Sequence, residues 1–211
     1  MKSLKQYLTE ALNHPLPGQE AQKLMMPKLG GNFNRFSIDA RKGAREGAVL
    51  LLLYEKMGNI YFPLTQRHEY DGAHSGQISF PGGKVEPTDN SARHTALRET
   101  EEELGVQQSA VNVIGQLTDL FIIASNFNVR PFVGYLEQPP DFLLDKREVA
   151  EVLEISLDQL MNNELVKEKE IIVRNNYRIE APYFDFDGYH VWGATAMMLA
   201  EFKQIVELGG F

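Results

Sequence analysis

Three glutamates, Glu99, Glu102 and Glu103, stand at i, i+3 and i+4 in a helix-prone run from Asn90 to Val106, so their carboxylates share one helical face. Hard divalent cations take oxygen ligands of this kind. Acids clustered on a helix ordinarily form a solvated surface, and two features weigh against that here. Glu99 and Glu103 are like charges one turn apart, which costs roughly a few tenths of a kcal/mol unless a cation between them relieves the repulsion. On a helical wheel, Ala96, Leu97, Thr100 and Leu104 form an apolar stripe beside the trio. The acids can then line a cleft while the stripe meets a core, with Glu101 left to solvent. Arg98 lies four residues from Glu102. Just upstream, Gly82 and Gly83 form a glycine turn whose backbone can approach such a site closely and adopt positive φ.

The elements that must carry this helix can be read from periodicity. Leu4, Tyr7, Leu8, Ala11 and Leu12 predict a short amphipathic helix. His14-Pro15-Leu16-Pro17-Gly18 breaks it, and a second helical stretch covers Gln19 to Met26. Residues 28 to 45 read as loop, with Arg41, Lys42 and Arg45 as candidate anion contacts against the commoner reading of solvated charges. Ala48 to Tyr54 is a buried strand, turned by Met57-Gly58-Asn59 into a second strand, Ile60 to Gln66. A polar loop and a short strand, Gln77 to Phe80, lead to the glycines. Thr88 or Asp89 is the expected N-cap of the acidic helix and Gly105 its C-cap.

Further strands are expected at Val111 to Leu117, Val129 to Leu136 and Glu148 to Ile155, with a short helix at Leu157 to Met161. A hairpin around Asn175-Asn176 joins Glu170 to Arg174 with Tyr177 to Phe186, and a helix from Trp192 to Leu208 closes the chain. Strands before and after one central helix, with a second long helix at the end, predict an α/β fold, an α/β/α sandwich around a mixed β-sheet. Residues 1–40 are expected as an N-terminal helical and loop extension to a domain spanning 41–211.

Composition narrows the function. The chain has 211 residues, 43% of them hydrophobic, enough for one sizeable core. Its formal net charge of −8 argues against a nucleic-acid or anionic-membrane surface. With no cysteine, disulfides and thiolate chemistry are excluded, which is compatible with a cytoplasmic location. The first residues lack the apolar core of a secretory signal, and the longest apolar run is far too short to span a bilayer as a helix.

The acidic helix and its glycines resemble the box of the Nudix hydrolase family, G-x5-E-x7-R-E-U-x-E-E-x-G-U, where U is aliphatic. Here Gly83 is followed by five residues, Asp89, eight residues, and Arg98-Glu99-Thr100-Glu101-Glu102-Glu103-Leu104-Gly105-Val106. Asp89 replaces a glutamate, one residue is added before Arg98, and Thr100 replaces an aliphatic side chain. Upstream, Leu64-Thr65-Gln66-Arg67 and His74-Ser75-Gly76-Gln77-Ile78-Ser79-Phe80-Pro81-Gly82-Gly83-Lys84 are similar to the extended signature of the coenzyme A pyrophosphatase branch, whose box shares the added residue and the aspartate. Glu148-Val149 and Val191-Trp192-Gly193-Ala194-Thr195-Ala196 also resemble segments of that branch. The signature's second arginine is Gly72 here, its serine is His68, and its final aspartate is Glu86.

The resemblance implies a Nudix-like fold and metal-dependent hydrolysis of a diphosphate in a nucleotide derivative. Coenzyme A or acyl-coenzyme A would give 3′,5′-ADP and the (acyl-)4′-phosphopantetheine. Another nucleoside diphosphate derivative such as ADP-ribose is the alternative, kept open by Gly72; a silent nucleotide-binding module of the same fold is a third. Glu99, Glu102 and Glu103 would hold Mg²⁺ or Mn²⁺, and Arg98 would fix the carboxylates and the glycine turn. Arg67 and Lys84, with Gly82 and Gly83, would meet the substrate phosphates. Glu99, Glu148 and Glu151 remain candidates for the general base. Asp89 would cap the helix or join the arginine network; His74 and His190 read as structural and Trp192 as core. The expected partner is a small nucleotide, and a homodimer is compatible with the chain.

Overall fold

A computed structural model describes residues 3–28, 43–68, 76–173 and 177–211. Strand β1 (Arg45–Lys56) is the axis of the larger sheet. Its leucine run is buried on both faces, because Ala48, Leu50, Leu52 and Tyr54 enter one core while Leu51 and Leu53 enter another. Successive side chains of a strand point to opposite faces, so an uninterrupted apolar run demands a layer on each side. It pairs in parallel with β7 (Phe127–Leu136) and antiparallel with β2 (Asn59–Arg67). Around these lie β3 (Ile78–Ser79), β5 (Asn112–Gln116), β6 (Leu120–Ile122) and β8 (Val149–Ser156).

The glycines expected in a turn form a strand instead. Strand β4 (Gly82–Lys84) pairs antiparallel with β1, Gly82 opposite Val49 and Lys84 opposite Gly47. A Cβ on Gly82, whose φ is 151°, would lie 2.4 Å from the Ala48 carbonyl oxygen, so only glycine lets the ladder form there.

One face of the sheet is covered by a helix, the other by several. We number the first three helices α1 (Leu4–Ala11), α2 (Gln19–Lys23) and α3 (Ala92–Leu104). Helix α3, the acidic helix, packs Ala96 and Leu104 against Ala48, Leu50, Leu52 and Tyr54. The opposite core receives Leu4, Leu8, Leu12 and Met25 from the N-terminal region, Leu160 from α4 (Leu157–Met161), and Met197, Leu199, Phe202 and Val206 from α5 (Gly193–Leu208). A second, antiparallel sheet of β9 (Val166–Val173), β10 (Tyr177–Phe186) and β11 (Tyr189–Trp192) joins that layer through Phe184, Phe186 and Val191. This is the α/β/α sandwich that the alternation of elements predicts.

Several boundaries differ from the sequence reading: β9 begins at Val166 rather than Glu170, α2 ends at Lys23 rather than Met26, and β6 is an additional strand. The N-cap of α3 is Ser91, whose hydroxyl accepts from the His94 amide, rather than Thr88 or Asp89. The closing helix is as expected but for Trp192, which is its N-cap and the last residue of a short strand, β11, that the sequence reading does not contain. The C-cap at Gly105 is as expected, left-handed with φ 72°. The turn at Asn175-Asn176 lies outside the described residues, although β9 and β10 pair from Val173 and Tyr177 onward.

The N-terminal helices are fastened by polar contacts as well as apolar ones. Glu201 of α5 is fully buried and accepts from Gln22 Nε2 at 2.9 Å and Thr118 Oγ1 at 2.6 Å, so α2 and the segment after β5 share one carboxylate. Leu8 is also fully buried. Leu8→Ala is expected to lower unfolding free energy by about 2–5 kcal/mol, read from the midpoint of chemical denaturation; a change near zero would show that α1 does not share the domain's cooperative unfolding.

Candidate active site

Helix α3 presents its acids to β4, and the three glutamates part company there. Glu103 is buried, its side chain 5% exposed, and accepts from the Gly82 amide at 3.3 Å. Glu99 is 15% exposed, with its carboxylate against the backbone of Gly83. A Cβ on Gly83 would lie 2.5 Å from the Glu99 carboxyl carbon, so the missing side chain is what leaves room for the carboxylate. Glu102 is 58% exposed and turns to Arg98 Nη1 at 3.0 Å. A separation of 100° per residue suffices to send neighbours 102 and 103 to different surroundings.

Arg98 is the hub. Its Nε and Nη2 donate to the two oxygens of Asp89, each at 3.0 Å, while Nη2 also meets Glu99 Oε1 at 3.0 Å and the Lys84 carbonyl at 3.4 Å. The Asp89 side chain is covered from solvent, and its carboxylate further accepts from Thr95 Oγ1 at 2.8 Å and the Glu86 amide at 2.9 Å. Of the two roles open to Asp89, capping and the arginine network, the structure assigns the second. The Arg98 fork holds the Asp89 carboxyl well below the usual carboxylate range, assisted by the Glu86 amide and Thr95.

Glu103 and Glu99 are displaced the other way. Burial pushes the Glu103 carboxyl up to about 8, the charges of Glu99 and Glu148 add to this, and Arg67 and the Gly82 amide oppose it. Burial also raises Glu99, against the pull of Arg98 and with Glu102 and Glu148 adding to the rise. Arg67, at the end of β2, is the nearest counter-charge to Glu103, 3.7 Å from Oε1.

The other candidates fall on either side of this centre. Glu148, exposed just before β8, is felt by both acids. Glu151, within β8, accepts from the Tyr189 hydroxyl at 2.9 Å. Lys84 is exposed, and its backbone oxygen rather than its ammonium meets Arg98. His190 stands apart, on β11 against Tyr183 and Lys169, and Trp192 is half-buried rather than core. Arg45 donates to the Ser125 carbonyl and stacks on Phe127. Gly72, His74, Arg41 and Lys42 lie outside the described residues. The Asp89 cluster with Thr95 and His94 is what sequence reasoning resolved least; only the aspartate's position relative to Arg98 hinted at it.

Among the described residues, no three His, Cys, Asp or Glu side chains converge as a ready metal shell. The donor chemistry nonetheless suits a hard divalent cation. Glu103 is buried and Glu99 half-buried, each charge felt across the site, and the missing side chain at Gly83 leaves room for the Glu99 carboxylate. Without a cation, the sign of the pH effect is set. Glu103 rises from 4.5 to about 8 on folding, so its contribution is most favourable below 4.5 and is lost as pH rises through about 8. Thermal unfolding of metal-free protein should therefore show a stability loss across that interval which Glu103→Gln removes; an unchanged pH profile in the variant would assign the loss elsewhere.

The NUDIX domain family matches residues 44–175. An uncharacterized Nudix hydrolase, NudL, of Yersinia enterocolitica is 36% identical over 146 residues, covering 69% of this chain and 73% of that protein. Its counterpart in Yersinia pestis is 34% identical over 146 residues, covering 69% and 72%. Among solved structures, a MutT/nudix family protein from Enterococcus faecalis superposes with a TM-score of 0.51 over 98% of this chain and 70% of that one, at 15% identity, a likeness of fold.

Proposed function

The chain belongs to the Nudix hydrolase family, and on that premise we propose that it cuts the diphosphate of coenzyme A or an acyl derivative into 3′,5′-ADP and the (acyl-)4′-phosphopantetheine. The observation that carries the reading is the pair of carboxylates, half-buried Glu99 and buried Glu103, against the glycine strand with Arg98 and Arg67 as their nearest cations. The choice of coenzyme A rests on the run from Phe80 to Lys84 and on the spacing between Asp89 and Arg98.

Divalent ions serve the family generally. Bound here by Glu99 and Glu103, with Glu102 able to join by releasing Arg98, Mg²⁺ or Mn²⁺ would neutralise phosphate charge and acidify water. The remaining work falls to the chain. Arg67 and Lys84 contact phosphate oxygens, and the Gly82–Gly83 backbone lets the diphosphate approach. Glu148 takes the proton of the attacking water, its charge bearing on both acids, whereas Glu151 is engaged by Tyr189. Water oxygen joins one phosphorus and the bridging oxygen leaves with the other. Arg98 positions the carboxylates without touching substrate, and the Asp89 fork fixes Arg98.

Incubation with coenzyme A, acyl derivatives, ADP-ribose and dinucleoside polyphosphates, each with Mg²⁺ or Mn²⁺, tests the substrate by chromatography of the products. Coenzyme A should be cleaved; if it stays intact at every metal concentration while ADP-ribose is cut, the alternative opened by Gly72 replaces it. Glu103→Gln should lower kcat about a hundredfold, a loss of about 2.7 kcal/mol of transition-state stabilisation, and weaken metal binding. Survival of both properties in Glu102→Gln and Glu103→Gln would make the trio structural.

Asp89→Asn should act through position rather than contact. Removing one partner of a buried pair costs about 3–5 kcal/mol of stability, visible in denaturation, and the surviving enzyme should lose kcat with little change in KM.

A further inference from the structure

Strand β9 alternates Lys167, Glu168, Lys169 and Glu170, so its lysines share the face opposite its glutamates. That face also carries Tyr183 of β10 and His190 of β11, and it is the reverse of the face through which Phe184 and Val191 enter the core. The Lys169 ammonium nitrogen lies 2.7 Å from His190 Nδ1 and 4.8 Å from the centre of the Tyr183 ring; the His190 ring is 4.6 Å from the same ring.

Most basic side chains nearby have an acid of their own. Lys167 meets Asp185 at 2.7 Å, Arg178 meets Glu170 at 2.8 Å, and Lys28 meets Glu168 at 3.1 Å. No carboxylate of the described residues is within ion-pair distance of Lys169. Asp185, the acid on this face, is occupied by Lys167 and by the Gly188 amide at 2.9 Å. A half-buried amine with an imidazole instead of a counter-ion is arranged as a nucleophile with its base. We propose that Lys169 is an acylation site for thioesters, with His190 as the base that frees its lone pair.

The step balances. The Lys169 ammonium gives one proton to His190 Nδ1, which passes it to solvent; the freed Nζ lone pair attacks the thioester carbonyl carbon, the C–S bond breaks, and the departing thiolate takes the second Nζ proton by way of the imidazole. Nothing is oxidised; the products are an amide on Lys169 and a free thiol. The charge and its contact with the Tyr183 ring are lost together. The groups facing Lys169 are Tyr183 and Asp185 of β10, His190 of β11 and Lys167 of its own strand. Burial lowers Lys169 against the opposing charge of Asp185, while the hydrogen bond to Asp185 raises Lys167, so two lysines two residues apart differ in the expected direction.

Lys167 is therefore an internal control. The full chain would be incubated with the acetyl thioester of N-acetylcysteamine, which lacks a diphosphate, and acetyl occupancy at each lysine followed by peptide mass spectrometry. Lys169 should acetylate several-fold faster than Lys167, and His190→Gln, at an exposed position, should bring Lys169 close to the Lys167 rate with the circular dichroism spectrum unchanged. Equal rates in the natural chain, or a Lys169 rate indifferent to His190→Gln, would overturn the proposal. Because the probe has no phosphorus anhydride, either result leaves the diphosphate reading to its own assay.

Discussion

The Arg98 fork on Asp89 is the interaction on which the candidate site depends. Asp89 sits between the glycine strand and the first turn of α3, and its side chain is covered from solvent, so its charge is tolerable only with a cation fixed beside it. That cation reaches Glu99, Glu102 and the Lys84 carbonyl at the same time. One guanidinium therefore joins strand to helix and sets the positions of two of the acids. Five donors in a rigid plane make this possible; the single ammonium of a lysine could not hold the same set.

Around that anchor, the sheet and helix solve a packing problem and a chemical one with the same residues. The alternation along β1 gives α3 an apolar floor of Ala48, Leu50 and Leu52, and the register with β4 brings two glycines under the helix's acidic side. Glu103 is in consequence held where water is scarce, and its raised proton affinity follows from that placement. The stability cost expected above neutral pH has the same origin.

Much of this was legible in the sequence. Helical spacing put 99, 102 and 103 on one side of the helix, and the leucine run put a layer on both faces of its strand. Spacing could not say that Glu103 would be buried and Glu102 exposed, because that depends on which side of the helix meets β4. Nor could it separate Glu148 from Glu151: Glu148 lies in the turn just before β8, whereas Glu151, within the strand, accepts from the Tyr189 hydroxyl. Asp89 read equally well as a helix cap because aspartate serves both purposes, and Ser91 took the cap since it lies at the helix's true start. The strand at Gly82–Lys84 looked like a turn because glycine disfavours strands on its own, and only its pairing with β1 overrides that preference.

Gly83 carries a lesson for transplanting such a centre into another scaffold. The Glu99 carboxylate fills the volume that any side chain at 83 would claim, so a graft of the acidic helix alone would set its glutamate against ordinary strand atoms. The portable unit is a helix together with an absence: one bare backbone position, in register, two strands wide. A search for kindred sites by superposing side chains would miss half of what defines this one, since that half consists of an atom that is not there.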